Sequence, residues 1–181
     1  MNFLETKLRG CYIIEPTLFE DSRGSFLEAF NENKFNKGIG DKVHFVQDNQ
    51  SLSTHGVIRA IHYQTGQCAQ AKLVRVLSGR VLDVAVDLRT ESCTYGQHIA
   101  LELSAANNKQ LFIPKGFGHG FSVLSKSAVF FYKCDNFYNK ESEGGIIYND
   151  ETLNIDWKIP KDQIIVSEKD TLLPNLKLAA L

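Results

Sequence analysis

The chain has 181 residues and a mass of 20.4 kDa, enough for one domain with a sizeable core. Hydrophobic residues make up 43% and charged residues 23%, which excludes a disordered chain, a collagen-like fibre and a coiled coil. Lys and Arg number 20 against 21 Asp and Glu, so the formal net charge of -1 lacks the basic excess of a duplex-binding protein, while a local basic pocket for a small anion stays compatible with it.

Met1 to Lys7 carry no apolar signal core, and no apolar run approaches the ~20 residues that span a bilayer. The expectation is a soluble, cytoplasmic protein with neither a nucleic-acid nor a membrane partner. Cys11, Cys68, Cys93 and Cys134 are scattered without a C-x-x-C pair, which argues for free thiols over a disulfide framework or a cysteine-based zinc site.

In chain order, Asn31 to Asn36 suit one or two helical turns. From Val43 to Lys133, short apolar runs with two-residue alternation dominate. Gln47, Asn49 and Ser51 point the same way on a strand. Arg59 and Ile61 then share one face and Ala60 and His62 the other, unless a bulge intervenes. Leu73 to Leu77, Ser78-Gly79 and the run from Val81 read as two strands joined by a tight turn. In the second, Val81, Asp83, Ala85 and Asp87 share one face, and Leu82, Val84, Val86 and Leu88 the other. Ile99, Leu101 and Leu103 alternate in a further strand. Leu111 to Ile113 is closed by Pro114-Lys115-Gly116, and Phe117 to Leu124 and Ala128 to Lys133 follow. Without a βαβ rhythm, many short strands favour an all-β sandwich or barrel. The first forty residues and the segment after Tyr138 read as appendages packed outside it, with short helices near the C-terminus. One domain spans residues 1–181.

The polar cluster Gln47 to Ser51, Arg59, His62, Gln64 and Lys72 suits a small anionic ligand, against the plainer reading of a solvated strand edge. His62 is the best candidate base, since imidazole titrates near neutral pH. Of the five His, no pair forms H-x-H, because position 64 is Gln64; the reading is a site without metal. The glycines of Gly116 to Phe121 cost strand stability and call for close backbone approach, a bulge or room for a ligand. Ser167 to Asp170, taken alone, is a solvated charged loop.

Eight segments together resemble one family. They are Asp21-x-Arg23-Gly24-x-Phe26-x-Glu28, Val46-Gln47-Asp48-Asn49-x-Ser51, Gly56-Val57-Ile58-Arg59-x-Ile61-His62-Tyr63-Gln64, Gln70 to Val76, Asp83 to Arg89, Ile113-Pro114-x-Gly116-Phe117-x-His119-Gly120-Phe121, Tyr132-Lys133, and Val166 to Asp170. In this order, over residues 3 to 176, the chain resembles the dTDP-4-dehydrorhamnose 3,5-epimerases, the RmlC-type sugar-nucleotide epimerases.

The resemblance implies a cupin-like double-stranded β-helix, a jelly-roll barrel with short flanking helices. It implies a homodimer that exchanges N-terminal strands and a site without metal or other cofactor. The substrate it implies is dTDP-4-dehydro-6-deoxy-D-glucose, epimerised at C3 and C5 through enolates. By the same resemblance His62 is the base and Asp170 its carboxylate partner. Lys72 lies near the C4 oxygen, and Tyr132 is the opposite-face acid, its phenol tuned by a neighbouring cation. Arg23, Arg59 and Lys169 grip the diphosphate. Gln47 and Asn49 bond the sugar or nucleotide, Phe26 and Glu28 approach the thymidine from the partner subunit, and Tyr138 stacks on the base. His119 and Glu143 complete the binding set. Ala60, beside His62, stands where the family usually has Gly. The competing readings are an epimerase acting at one carbon, a non-catalytic sugar-nucleotide-binding barrel, and a metal-dependent cupin enzyme.

Overall fold

A computed structural model describes residues 1–179. Its strands are β1 (Asn2–Glu5), β2 (Tyr12–Glu15), β3 (Leu18–Asp21), β4 (Gly24–Leu27), β5 (Gln47–Thr54), β6 (Ile58–Gln64), β7 (Lys72–Ser78), β8 (Arg80–Asp87), β9 (His98–Ser104), β10 (Gln110–Ile113), β11 (Phe117–Val123), β12 (Ser127–Cys134) and β13 (Glu143–Ile146); the helices are α1 (Glu32–Ile39) and α2 (Glu168–Thr171). One antiparallel sheet runs β1-β2-β10-β7-β12-β5 and a second runs β13-β6-β11-β8-β9, while β3 and β4 pair only with each other. This is the all-β, jelly-roll architecture expected. No helix among the described residues is long and apolar enough to cross a membrane.

The inner faces of the two sheets meet. Val74, Val76, Leu111 and Phe130 from the first pack with Val81, Ala85, Phe117, Phe121 and Val123 from the second. Leu82, Val84, Val86 and Leu88 point outward, under a cover supplied by Leu153, Trp157 and Leu176. The alternation read along β8 therefore holds, and both of its faces are buried because the C-terminal segment wraps the outside of its sheet. On the other outer face, Phe35 and Ile39 of α1 pack with Ile14, Leu73 and Phe112. Asn31 caps α1 through its side chain, accepting from the Lys34 N–H, and Gly40 ends it in the left-handed region.

Two local readings are refined by the structure. First, β7 and β8 are joined by the tight turn expected, but they do not pair with each other: β7 pairs with β10 and β12, and β8 with β11 and β9. The Ser78-Gly79 turn carries the chain from one sheet to the other. Gly79 has φ of +80°, and a Cβ there would lie 2.1 Å from the Ser127 carbonyl oxygen. Secondly, the segment read as a solvated loop at Ser167 to Asp170 is a helical turn, with Ser167 accepting from the Asp170 N–H and Asp170 itself buried.

The turn after β8 is organised by one buried carboxylate. Asp87 accepts from Arg89 Nε at 2.8 Å and Nη2 at 2.7 Å, from Ser92 Oγ at 2.7 Å and from Thr94 Oγ1 at 2.6 Å. Burial pushes its carboxyl upward, but these donors outweigh burial and hold it far below the usual range. Stability from a depressed carboxyl is present above its unfolded value, about 3.9, and is lost as pH falls toward the folded one. Asp87→Asn is expected to cost about 3 kcal/mol in urea unfolding at pH 7. The gap to wild type is expected to narrow as pH drops below about 4. A gap that stays constant down to acid pH would contradict this account.

Candidate active site

A cavity of about 750 Å³ opens between the sheets, walled by β5, β7 and β12 on one side and by β6 and β11 on the other. Its geometry begins with an irregularity in β6. His119 lies opposite His62 and Phe121 opposite Arg59, so two steps along β11 answer three along β6. The extra residue is a bulge. It brings both Arg59 and His62 to the cavity, three positions apart, where a regular strand would send them to opposite faces. Gly120 makes this possible, since a Cβ there would stand 2.7 Å from the Arg59 carbonyl oxygen. Ala60, inside the bulge, is fully buried.

His62 Nε2 lies 3.3 Å and 3.4 Å from the two carboxylate oxygens of Asp170. The Ala60 N–H also donates to Asp170, at 3.4 Å, and the Ser167 side chain accepts from the Asp170 N–H at 3.2 Å. Burial raises the Asp170 carboxyl, but the bond to His62, the charge of that ring, the Ala60 N–H and Ser167 together pull it below its ordinary value. The other ring nitrogen of His62, Nδ1, is buried and has no protein partner. Residues 108 positions apart are thus joined, with a free basic nitrogen left on the imidazole.

The opposite wall is set by register. Tyr132 pairs with Val74 and Asn49, and Cys134 with Lys72 and Gln47, so Tyr132, Lys72, Asn49 and Gln47 occupy one face. The Lys72 ammonium lies 6.0 Å from the centroid of the Tyr132 ring. Among the described residues no carboxylate pairs with it within 4.0 Å. Burial lowers the Lys72 ammonium, and Cys134, Asp83 and Glu143 push the other way. Tyr132 departs from expectation. Arg59 does draw its phenol down, but burial, with Cys134 and Glu143, outweighs that, and the phenol is raised.

At the mouth, Arg59 donates from Nε and Nη2 to Ser53 Oγ at 3.3 Å and 3.2 Å. Gln47 donates to Asn49 and accepts from the Tyr138 N–H at 3.1 Å. Tyr138 Oη and Lys169 Nζ both donate to the same Glu143 oxygen, at 2.8 Å and 2.7 Å. The Glu143 carboxyl, raised by burial, is brought below its ordinary range by these donors. His119 lines the cavity and donates from Nε2 to Asp83 at 2.8 Å.

The structure therefore gathers His62, Asp170, Tyr132, Lys72, Gln47, Asn49, Arg59, His119, Tyr138, Glu143 and Lys169 around one hollow. It does not bring Arg23, Phe26 or Glu28 to the hollow of their own chain. They belong to the β3–β4 hairpin and the segment after it, outside both sheets. Arg23 pairs with Asp21 and Glu28 with Lys34, while Phe26 is 69% exposed. Among the described residues, no three His, Cys, Asp or Glu side chains converge as ligands for a metal ion.

The family profile described as dTDP-4-dehydrorhamnose 3,5-epimerase matches residues 5–177. The chain belongs to this family. A dTDP-4-dehydrorhamnose 3,5-epimerase from Shigella flexneri is 49% identical over 170 residues, covering 94% of this chain and 93% of the relative. The crystal structure of the epimerase of that name from Elizabethkingia anophelis superposes with a TM-score of 0.95 at 58% identity, over 98% of this chain and 97% of its own. The dTDP-6-deoxy-D-glucose-3,5-epimerase of Legionella pneumophila, solved in complex with dTDP-4-keto-L-rhamnose, gives 0.94 at 46% identity, over 98% of this chain and 93% of its own.

For this epimerase-family chain, the sequence pointed to no role for Ser53 or Asp83, and it placed Gln64 only in the polar cluster suited to an anion. Gln64 clamps the segment that presents Tyr138, accepting from the Asn139 N–H at 2.9 Å and donating to its carbonyl at 2.8 Å. Asp83 carried a usable signal: a carboxylate on the same strand face as Val81 and Ala85, bound for the core, needs a partner.

Proposed function

We propose that the chain converts dTDP-4-dehydro-6-deoxy-D-glucose to dTDP-4-dehydro-L-rhamnose by inversion at C3 and C5, using its own side chains as acid and base. The observation that carries this reading is the placement of His62 with Asp170 on one wall of the cavity and of Tyr132 with Lys72 on the other. A C–H beside the C4 ketone is acidified because its electron pair can pass to the carbonyl oxygen. His62 takes that proton at Nδ1, and Asp170 stabilises the imidazolium across the ring. The Lys72 ammonium meets the enolate oxygen in a site where water screens little. Tyr132 returns a proton to the carbon from the other side, leaving a phenolate, and exchange with solvent resets both groups. The sequence of events repeats at the second carbon.

Arg59, with no carboxylate partner within 4.0 Å among the described residues, suits the diphosphate, with Lys169 nearby. Tyr138 offers an aromatic face to the thymine, and Gln47 and Asn49 offer amides to the sugar or nucleotide. Arg23, Phe26 and Glu28 serve the cavity of a second copy. The detached β3–β4 hairpin, with Phe19 60% and Phe26 69% exposed, supports a homodimer built by strand exchange. Sedimentation at micromolar concentration should give a dimer; a monomer with full activity would end that part of the proposal. The same reading places the enzyme in the cytoplasm.

Turnover in deuterated water tests the whole reading. Inversion at two centres places label at both C3 and C5 of the product. Label at a single carbon assigns a one-carbon epimerase. Tight binding without label leaves a non-catalytic barrel.

A further inference from the structure

Behind His119 lies a second imidazole–carboxylate pair, beside that of His62 and Asp170. His119 and His62 are direct cross-strand neighbours on β11 and β6, and the carboxylate of the second pair comes from β8. Asp83 is fully buried and does not touch the cavity. Its Oδ1 accepts from His119 Nε2 at 2.8 Å, and its Oδ2 is buried with no partner. The His119 ring is stacked on Phe130, with centroids 5.7 Å apart and planes at 25°, and Phe121 stacks on the same Phe130 at 4.2 Å.

A carboxylate in such a place is costly unless something depends on it. An apolar residue would pack between Val81 and Ala85 without leaving an unsatisfied oxygen. What Asp83 supplies is direction. With Nε2 committed as the donor, a neutral His119 ring has its lone pair on Nδ1, the one nitrogen left for the cavity that the ring lines. The phenyl stack fixes the ring plane, and the carboxylate fixes which edge carries the hydrogen.

We propose that Asp83 is a positioning residue: acting through His119, it locks that ring in the Nε2–H form so that Nδ1 accepts a hydrogen bond from a hydroxyl of the hexose. This rests on the epimerase reading for the identity of the ligand. The role differs from that of the His62 pair. There the carboxylate supports a ring that gains and loses a proton; here it holds a ring in one tautomer, so that a sugar whose ring carbons are being inverted stays anchored.

Two measurements test it. The first is the ¹⁵N spectrum of histidine-labelled enzyme at neutral pH, with His119 assigned from His119→Asn. The expected result is a proton on Nε2 and none on Nδ1; a proton on Nδ1 overturns the proposal. This readout needs neither turnover nor a carboxylate variant that folds, so it stands apart from any failure of the epimerase reading. The second is a double-mutant cycle with dTDP-4-dehydro-6-deoxy-D-glucose. Asp83→Asn is expected to lower kcat about 10- to 100-fold, the scale seen when the carboxylate behind a functional His is removed. The dissociation constant for dTDP should change less than about threefold, because Asp83 lies away from the mouth where Tyr138 and Glu143 sit. Since the effect passes through His119, the Asp83→Asn/His119→Asn double variant should be no slower than His119→Asn alone. Multiplying losses would show that Asp83 acts independently, for example as a counter-charge to Lys72, and would overturn the proposal.

Discussion

His62→Ala is expected to lower turnover by at least about 10³-fold and to abolish solvent deuterium exchange at C3 and C5 alike. His62 lines the cavity, with its Nε2 held by Asp170 and its Nδ1 buried without a protein partner. His119, next to it on β11, is paired through Nε2 with Asp83, but under the proposal above its Nδ1 is taken up by a sugar hydroxyl and does not serve as the base. Loss of exchange at both positions therefore follows from the geometry, because both carbons flank the same ketone and must use the same ring. The truncation also takes a partner from the buried Asp170 carboxylate, so the thermal midpoint should fall, and exchange is read on enzyme shown to be folded. Measurable exchange at either carbon in a folded His62→Ala enzyme would defeat the assignment of the base.

Lys72→Met is expected to cost kcat about 10²- to 10³-fold, the loss seen when a donor to a developing oxyanion is removed. Met keeps the length and apolar body of the chain and deletes the charge, so packing is largely preserved. The same change should raise stability. Burial lowers the Lys72 ammonium, and among the described residues no carboxylate lies within 4.0 Å of it. A group whose folded value is depressed in this way destabilises the native state while the folded protein must carry the charge. That cost is full below the folded value, shrinks as pH rises through it, and vanishes above the unfolded value of about 10.4. The variant should therefore be more stable than wild type at pH 7, by about 1 kcal/mol, with the difference fading toward pH 10. An enzyme both slower and less stable would mean that Lys72 is held by interactions other than those described.

How much of this was written in the chain depends on the element. The β-rich middle was legible because the alternation of Val81 to Leu88 has physical meaning on both faces of β8: one packs into the sandwich and the other beneath the C-terminal segment. The turn at Gly79 was legible but its use was not, because a sharp turn looks the same whether the chain folds back within a sheet or crosses between two. For the site, the resemblance named the residues that line the cavity, with Arg23, Phe26 and Glu28 besides, while residue patterning alone pointed to His62 and its polar neighbours. Asp170 could not be linked to His62 by spacing, since they meet across 108 positions, and Ser167 to Asp170 alone suggested only a charged loop. The hairpin residues Arg23, Phe26 and Glu28 carry the family pattern but leave the cavity of their own chain, a placement no local rule encodes.

The bulge in β6 makes the offset between Arg59 and His62 a property of the main chain. Shortening the segment between them by one residue would restore a regular ladder against β11. The two groups would then be an even number of positions apart and would again share a side, but with the imidazole one strand step nearer the guanidinium, about 3.3 Å. Diphosphate grip and proton removal would no longer be spaced for the same molecule. A change of sugar can thus be met by side-chain replacement around the hollow, whereas a change in the distance from phosphate to reacting carbon requires an insertion or deletion in this strand.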